Sequence, residues 1–261
     1  MLHIWLAVVL LIVIFCIAID KSFPKTIKLH ETFASSTTSI EIWDKEKTQS
    51  FLASDPDGYV QMMSKYDLMA RKAKSHADYL MKISSVASEA PLAEQALLSA
   101  AIHRVDSYLK KNPTLPISAG KLLNIPWIIA VTKGKTYENG FPHTRQNIIL
   151  LNHSTILSPS LANTLLHEKI HVYQRMYPED INSWMQSKGF TRWKLRSQEP
   201  LARANPDIDP WIYIDPTTSK PMIAAYSSDA PISISDVKLT SPAFEHPYEF
   251  LAYEIANMLP S

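Results

Sequence analysis

SPSLANTLLHEKIHVYQRMY, residues 158–177, is the stretch on which the reading of this chain turns. Leu161, Leu165, Leu166, Ile170 and Tyr173 recur at helical spacing, Ser158-Pro159 supplies an N-cap and a first-turn proline, and Pro178 stops the pattern after Tyr177. The spacing predicts an amphipathic helix over 158–177. Its middle carries His167-Glu168-Lys169-Ile170-His171, an HExxH pattern. On a helix of about 3.6 residues per turn, positions i and i+4 share a face, so both imidazoles can take one metal ion while Glu168 sits beside the open coordination position. The chemistry expected of such a site is hydrolysis by a zinc-activated water, with Glu168 as general base.

A catalytic zinc ion takes three protein ligands and keeps a fourth position for water. Val172-Tyr173-Gln174-Arg175, immediately downstream, lacks the glycine and third histidine of the metzincin pattern, which leaves a distant carboxylate as the natural candidate. EHPYEFLAYEIA, residues 245–256, offers Glu245, Glu249 and Glu254. Pro247 suits the first turn of a helix running to Met258. On that helix Glu249 shares a face with Ala252, Tyr253 and Ala256, two of them small enough for close approach to the HExxH helix. Glu254 follows Phe250 and Leu251 on a face suited to packing. Glu249 is the expected third ligand, with Glu254 and Glu245 as the alternatives.

With these two elements in place, the chain resembles the gluzincin group of zincin metallopeptidases, in which HExxH on one helix is completed by a glutamate on a later one. HEKIHVYQ at 167–174 and HPYEFLAYEIA at 246–256 carry the likeness. Gln174, three residues after the second histidine, and the Pro-x-Glu-x-x-Ala run from Pro247 to Ala252 also match small zincin-like domains. The likeness covers about a quarter of the chain and speaks to a metal site more than to a substrate. It implies Zn2+ held by His167, His171 and Glu249, acting on a peptide or protein. The group commonly has an acidic residue four positions after the ligand glutamate, supporting a ligand histidine. Tyr253 stands there instead, which leaves that support to Glu254 or Glu245. His246, Tyr226, Tyr248 and Tyr253 are candidate donors to the developing oxyanion.

Before the motif, Pro126 to Thr132 reads as a buried strand, Asn139-Gly140 as a turn, and Gln146 to Leu151 as a second strand. The second strand is the candidate edge for peptide binding by strand addition, with an ordinary strand of the sheet as the alternative. Between the two metal helices, Glu179 to Lys188 reads as a short helix stopped by Gly189, and Trp211 to Pro216 as a strand and turn returning through Met222 to Tyr226. This insert is expected to wall the cleft, with Arg203 and Tyr213 in salt-bridging and packing roles. His103, His143 and His153 have no partner at ligand spacing and are read as structural. Val60 to Ser88 and Pro91 to Lys111 read as a helical pair.

Leu2 to Ile19 is almost uninterruptedly apolar, close to the ~20 residues that span a bilayer. Residues 1–20 are therefore expected to form a single-pass membrane anchor or an uncleaved signal, residues 21–59 a tether, and residues 60–261 the catalytic domain. Lys21, Lys25 and Lys28 favour a cytoplasmic domain by the positive-inside rule, whereas Asn152-His153-Ser154 matches a glycosylation sequon. A net charge of +1, with no basic block and no glycine-rich phosphate loop, argues against a nucleic-acid partner. The single cysteine, Cys16, excludes a disulfide within the chain.

The expected fold class is α+β, a mainly helical zincin-like domain with a small sheet behind an N-terminal transmembrane helix. The expected function is that of a membrane-anchored zinc peptidase. The rival readings are a non-catalytic zincin-like binding domain and an anchored helical interaction protein with an accidental HExxH.

Overall fold

In a computed structural model, residues 38–241 and 244–260 are described. The expected anchor at residues 1–20 lies outside them. Among the described residues no helix is long and apolar enough to cross a membrane.

Strand β1 (Ile40–Ile42) is followed by helix α1 (Lys45–Ser54), opened by Asp44, whose carboxylate accepts the Lys47 N–H. Helices α2 (Lys65–Ala70) and α3 (His76–Ser84) come next, capped by the Ser64 and Ser75 hydroxyls. A short strand β2 (Ala87–Ser88), the long helix α4 (Leu92–Lys111) and helix α5 (Ala119–Asn124) lead into strand β3 (Trp127–Thr132). After β4 (His143–Arg145) and β5 (Ile148–Asn152) come a single helical turn, α6 (His153–Ile156), and helix α7 (Leu161–Met176). The insert comprises α8 (Pro178–Ser187), β6 (Thr191–Leu195), β7 (Trp211–Ile214), β8 (Pro221–Met222), β9 (Ala224–Tyr226) and β10 (Val237–Leu239). Helix α9 (Pro247–Ala256) ends the fold. The class is α+β, with a five-stranded sheet beside a three-stranded and a two-stranded one.

The main sheet runs β1-β3-β5-β4, with β2 also on β3. β1, β3 and β5 are parallel; β4 is antiparallel to β5 and β2 to β3. The apolar runs of β3 and β5 follow from burial of both sheet faces. Trp127, Ile129, Val131, Ile149 and Leu151 join a core with α4, α7 and α9, while Ala130, Ile148 and Leu150 pack with Phe51, Leu52, Tyr79 and Ile83 on the other side.

Four expectations require correction. The stretch Gln146 to Leu151 does form a strand, β5, but it lies between β3 and β4, so its main chain is used on both sides and β4 is the edge. Ser158-Pro159 does not open the motif helix. Ser158 Oγ accepts the Ser160 N–H in a preceding turn, and α7 starts at Leu161. Val60 to Ser88 is two short helices and a strand, because Ser64 and Ser75 cap separate starts. Residues 40–59, read as tether, belong to the folded unit that begins at Thr38. β1 pairs with β3, Trp43, Phe51 and Leu52 are core residues, and Asp55 accepts from the buried Arg145 guanidinium at 2.6 Å.

Lys169, inside the motif, faces away from the metal side. It is 1% exposed, its Nζ donates to Ile125 O at 2.8 Å, and it lies 3.7 Å from the Trp127 ring centroid. Burial holds its ammonium well below the usual lysine value, at about 7, with Asp106 opposing the shift.

Two measurements check these assignments. A chain starting at Thr38 is expected to unfold in urea like the full chain. One starting at Val60 strands Arg145 without its carboxylates, a change expected to cost more than about 3 kcal/mol. Unfolded Lys169 keeps its proton to about 10.5 and the folded residue releases it near 7, so its contribution is fully present above the unfolded value and is lost as pH falls to 7. Lys169→Met is expected to flatten the rise in stability between pH 7.5 and 9.5 by about 1 kcal/mol per pH unit.

Candidate metal centre

One turn of α7 separates His167 from His171, and their Nε2 atoms lie 3.0 Å apart. Gln174, another three residues on, fixes the His171 ring. Its amide nitrogen donates to Tyr248 O at 3.0 Å, so its oxygen is the atom that faces His171 Nδ1 at 2.8 Å. The Nδ1–H therefore donates to Gln174, and the Nε2 lone pair points at His167. Burial pushes the His171 imidazole below the usual histidine value, which keeps it in the neutral, ligating form.

Helix α9 brings the third donor. Glu249 Oε2 lies 3.4 Å from His167 Nε2 and 3.8 Å from His171 Nε2. Its other oxygen accepts from Asn205 Nδ2 at 3.1 Å, which aims Oε2 at the imidazoles. Burial alone would raise the Glu249 carboxyl, but His171, His167 and Asn205 outweigh it and hold it at about 2. Tetrahedral zinc with bonds of ~2.0–2.1 Å needs donors about 3.3 Å apart, and the three separations bracket that value. The donor set fits zinc. Among the described residues, His167, His171 and Glu249 are the three that converge in this way.

Beside them Glu168 is 3% exposed, and one carboxylate oxygen has no hydrogen-bond partner. Burial, reinforced by Asp207 and Glu249 and opposed by Arg175, pushes this carboxyl well above its usual value. Other acids in the cleft wall have their own cations. Glu138 pairs with Arg71 at 2.6 Å, Glu245 with Arg203, and Asp207 with Arg175 at 3.7 Å. Among the described residues Glu168 and Glu249 have no Lys or Arg partner; Glu249 is held as the carboxylate by the two imidazoles, so its charge lies where they converge.

The expected ligands are thus brought together, and the alternatives are not. Glu245 is engaged by Arg203 and Asn205, and Glu254 lies 3.9 Å from Lys188 Nζ. Neither carboxylate supports a ligand imidazole; Gln174 supports His171. Among the oxyanion candidates, Tyr253 lines the cleft, its ring 4.5 Å from that of His167. Tyr226 is tied to Asp67 and Arg71, and His246 to Asp209, where its other ring nitrogen caps α9 through the Tyr248 N–H.

His153 is structural, bound to Glu94 and Ser88. His143 lines the cleft, but it donates through Nδ1 to Phe141 O, so its buried Nε2 presents a lone pair and no proton. Arg203 is salt-bridged as expected, yet it also lines the cleft, while Tyr213 is buried against Asp209. The Asn152 sequon is not available: the side chain is 8% exposed, its Nδ2 donates to Gly134 O, and its oxygen caps α6. Asn205, Asp207 and Arg175 also belong to the site, through Glu249, Thr144 and Pro206, and no local sequence signal marks them.

In comparisons with known proteins, no family model, curated protein or solved structure matches the chain at the significance required.

Gln174→Leu removes the acceptor that orients His171 while leaving all three candidate ligands in place. It is expected to weaken zinc binding by about 10- to 100-fold in competition with a chromogenic chelator, with the circular dichroism spectrum unchanged. An unaltered affinity would remove Gln174 from the site.

Proposed function

We propose that the protein is a membrane-anchored, zinc-dependent peptidase of the gluzincin kind, with His167, His171 and Glu249 as metal ligands and Glu168 as general base. The observation that carries this reading is the convergence of three donor atoms from α7 and α9, 3.0–3.8 Å apart, beside the buried carboxyl of Glu168.

When bound, zinc supplies Lewis-acid polarisation of a carbonyl oxygen and water of lowered pKa. Glu168 follows the first histidine on α7, one residue from a ligand, and burial raises its carboxyl, so that the carboxylate, once ionised beside a bound cation, is a stronger base than an exposed glutamate. It takes the proton from the attacking water and passes it to the leaving amine, a role worth about 10²- to 10⁴-fold in rate. Tyr253 is the donor we assign to the developing oxyanion. Burial and the neighbouring Glu249 and Glu168 raise its phenol, so it stays protonated and able to donate. Asn205 and Gln174 hold Glu249 and His171 in place without touching substrate. The anchor at residues 2–19 would keep this chemistry at a membrane surface.

Metal content and turnover test the reading together. The full-length chain, dialysed after zinc addition, is expected to retain about one zinc per molecule, and Glu249→Ala to lose it. Glu168→Gln is expected to keep zinc but lose at least about 100-fold in kcat on whichever peptides the parent cleaves. Zinc retention with no cleavage of any peptide would favour the non-catalytic binding domain. No zinc retention in the parent would leave the HExxH pattern without a metal role.

A further inference from the structure

The outer edge of the main sheet, beside the metal centre, is closed by the chain itself. An uncovered edge strand presents free N–H and C=O groups to which an extended peptide can add. Here β4 is the edge, yet His143, Thr144 and Arg145 are 4%, 0% and 1% exposed. Thr144 pairs with Ile149 between the pairs His143–Leu150 and Arg145–Ile148, so its main chain is the part of β4 that faces away from β5.

Both outward groups are taken. The Thr144 N–H donates to Asp207 Oδ1 at 2.6 Å, and the Thr144 carbonyl accepts from Arg175 Nη2 at 3.1 Å. Its hydroxyl bridges the same pair, donating to Asp207 Oδ1 at 2.7 Å and accepting from Arg175 Nη1 at 2.6 Å. Pro142, the next residue with the same outward direction, lines the cleft and has no N–H to offer.

The closing turn is also tied to the metal ligands. Asn205 Oδ1 accepts the Asp207 N–H at 2.9 Å while Asn205 Nδ2 donates to Glu249. Arg175, on the HExxH helix, additionally holds Pro206 O at 2.6 Å. Lifting Asp207 off Thr144 would loosen Glu249 and leave Arg175 short of partners, so the turn is a wall of the site and not a lid.

We propose that the substrates are short peptides, bound without strand addition to β4, rather than extended segments of a polypeptide. This inference rests on the peptidase reading above. The cavity, of about 500 Å3, is the size of a small-molecule pocket, and its rim carries the half-exposed side chains Phe141 and Leu239 and the ring face of Tyr253. Those three side chains supply apolar contacts where the strand edge supplies none.

The test uses the full-length Glu168→Gln chain loaded with zinc. Calorimetry follows peptides of about two to ten residues that share one central sequence, and hydrogen exchange follows the Thr144 amide. The expected result is an affinity that changes less than about threefold beyond four residues, with Thr144 equally protected with and without peptide. An affinity that climbs tenfold or more between about four and ten residues, with altered Thr144 exchange, would overturn the proposal by showing that peptide displaces Asp207. Zinc-loaded protein that binds no peptide of any length would sink the peptidase reading, and this inference with it.

Discussion

Two amide side chains of α7 grip the main chain of α9 at its two ends, and the geometry of the candidate metal centre depends on that grip. Near the C-terminal end Asn163 donates to Ala256 O and Leu259 O at 3.0 and 3.1 Å; near the N-terminal end Gln174 donates to Tyr248 O. Between them Ala252 and Ala256, 0% and 4% exposed, let the helices approach closely. Glu249 lies one turn before Ala252, on the same side, so the spacing of its carboxylate from the imidazoles is set by helix packing. Asn163 thereby satisfies carbonyls at the C-terminal end of α9, where no intrahelical donor remains, and the two amides together fix how α9 sits on α7.

Charge is distributed around this frame so that most buried groups are paired. Arg71, Arg145 and Arg175 are buried or largely so, each held by carboxylates and carbonyls from distant parts of the chain. Desolvating a guanidinium is costly, and these hydrogen bonds offset the cost only while the geometry stays intact. Arg175 has the widest reach, joining the HExxH helix, the sheet edge and the insert through Thr144, Gln146 and Pro206. Glu168 and Glu249 stand outside this pairing. The ionised Glu249 facing two imidazoles, with the buried Glu168 beside them in a low-dielectric cleft, is an arrangement expected more at a functional site than in a structural core.

Much of this was legible in the sequence because it is local. HEKIH lies on a helix, Pro247 and the alanines mark a second helix with Glu249 on its inner face, and the apolar runs WIIAVT and IILLN are strands. What was not legible depends on pairing between distant segments. Which strand forms the edge cannot be read from the apolar run of β5, since a strand buried on both faces looks the same in the centre or at the edge. The three residues of β1 are too few for a periodic signal, so 40–59 reads as tether until Ile40 is paired with Trp127. Asn205 and Asp207 sit in a turn whose composition explains its shape, and nothing local says that it folds against Glu249 and Thr144. His143 reads as an isolated histidine because its strand reaches the cleft only through the sheet.

The central claim is that two imidazoles and one carboxylate form a zinc site, and X-ray absorption at the zinc edge of the loaded full-length chain tests it most directly. The account predicts a four-coordinate nitrogen and oxygen shell at ~2.0–2.1 Å with outer-shell scattering from two imidazole rings, lost when His171 is replaced by alanine. A six-coordinate oxygen shell without imidazole scattering, unchanged by that substitution, would contradict it.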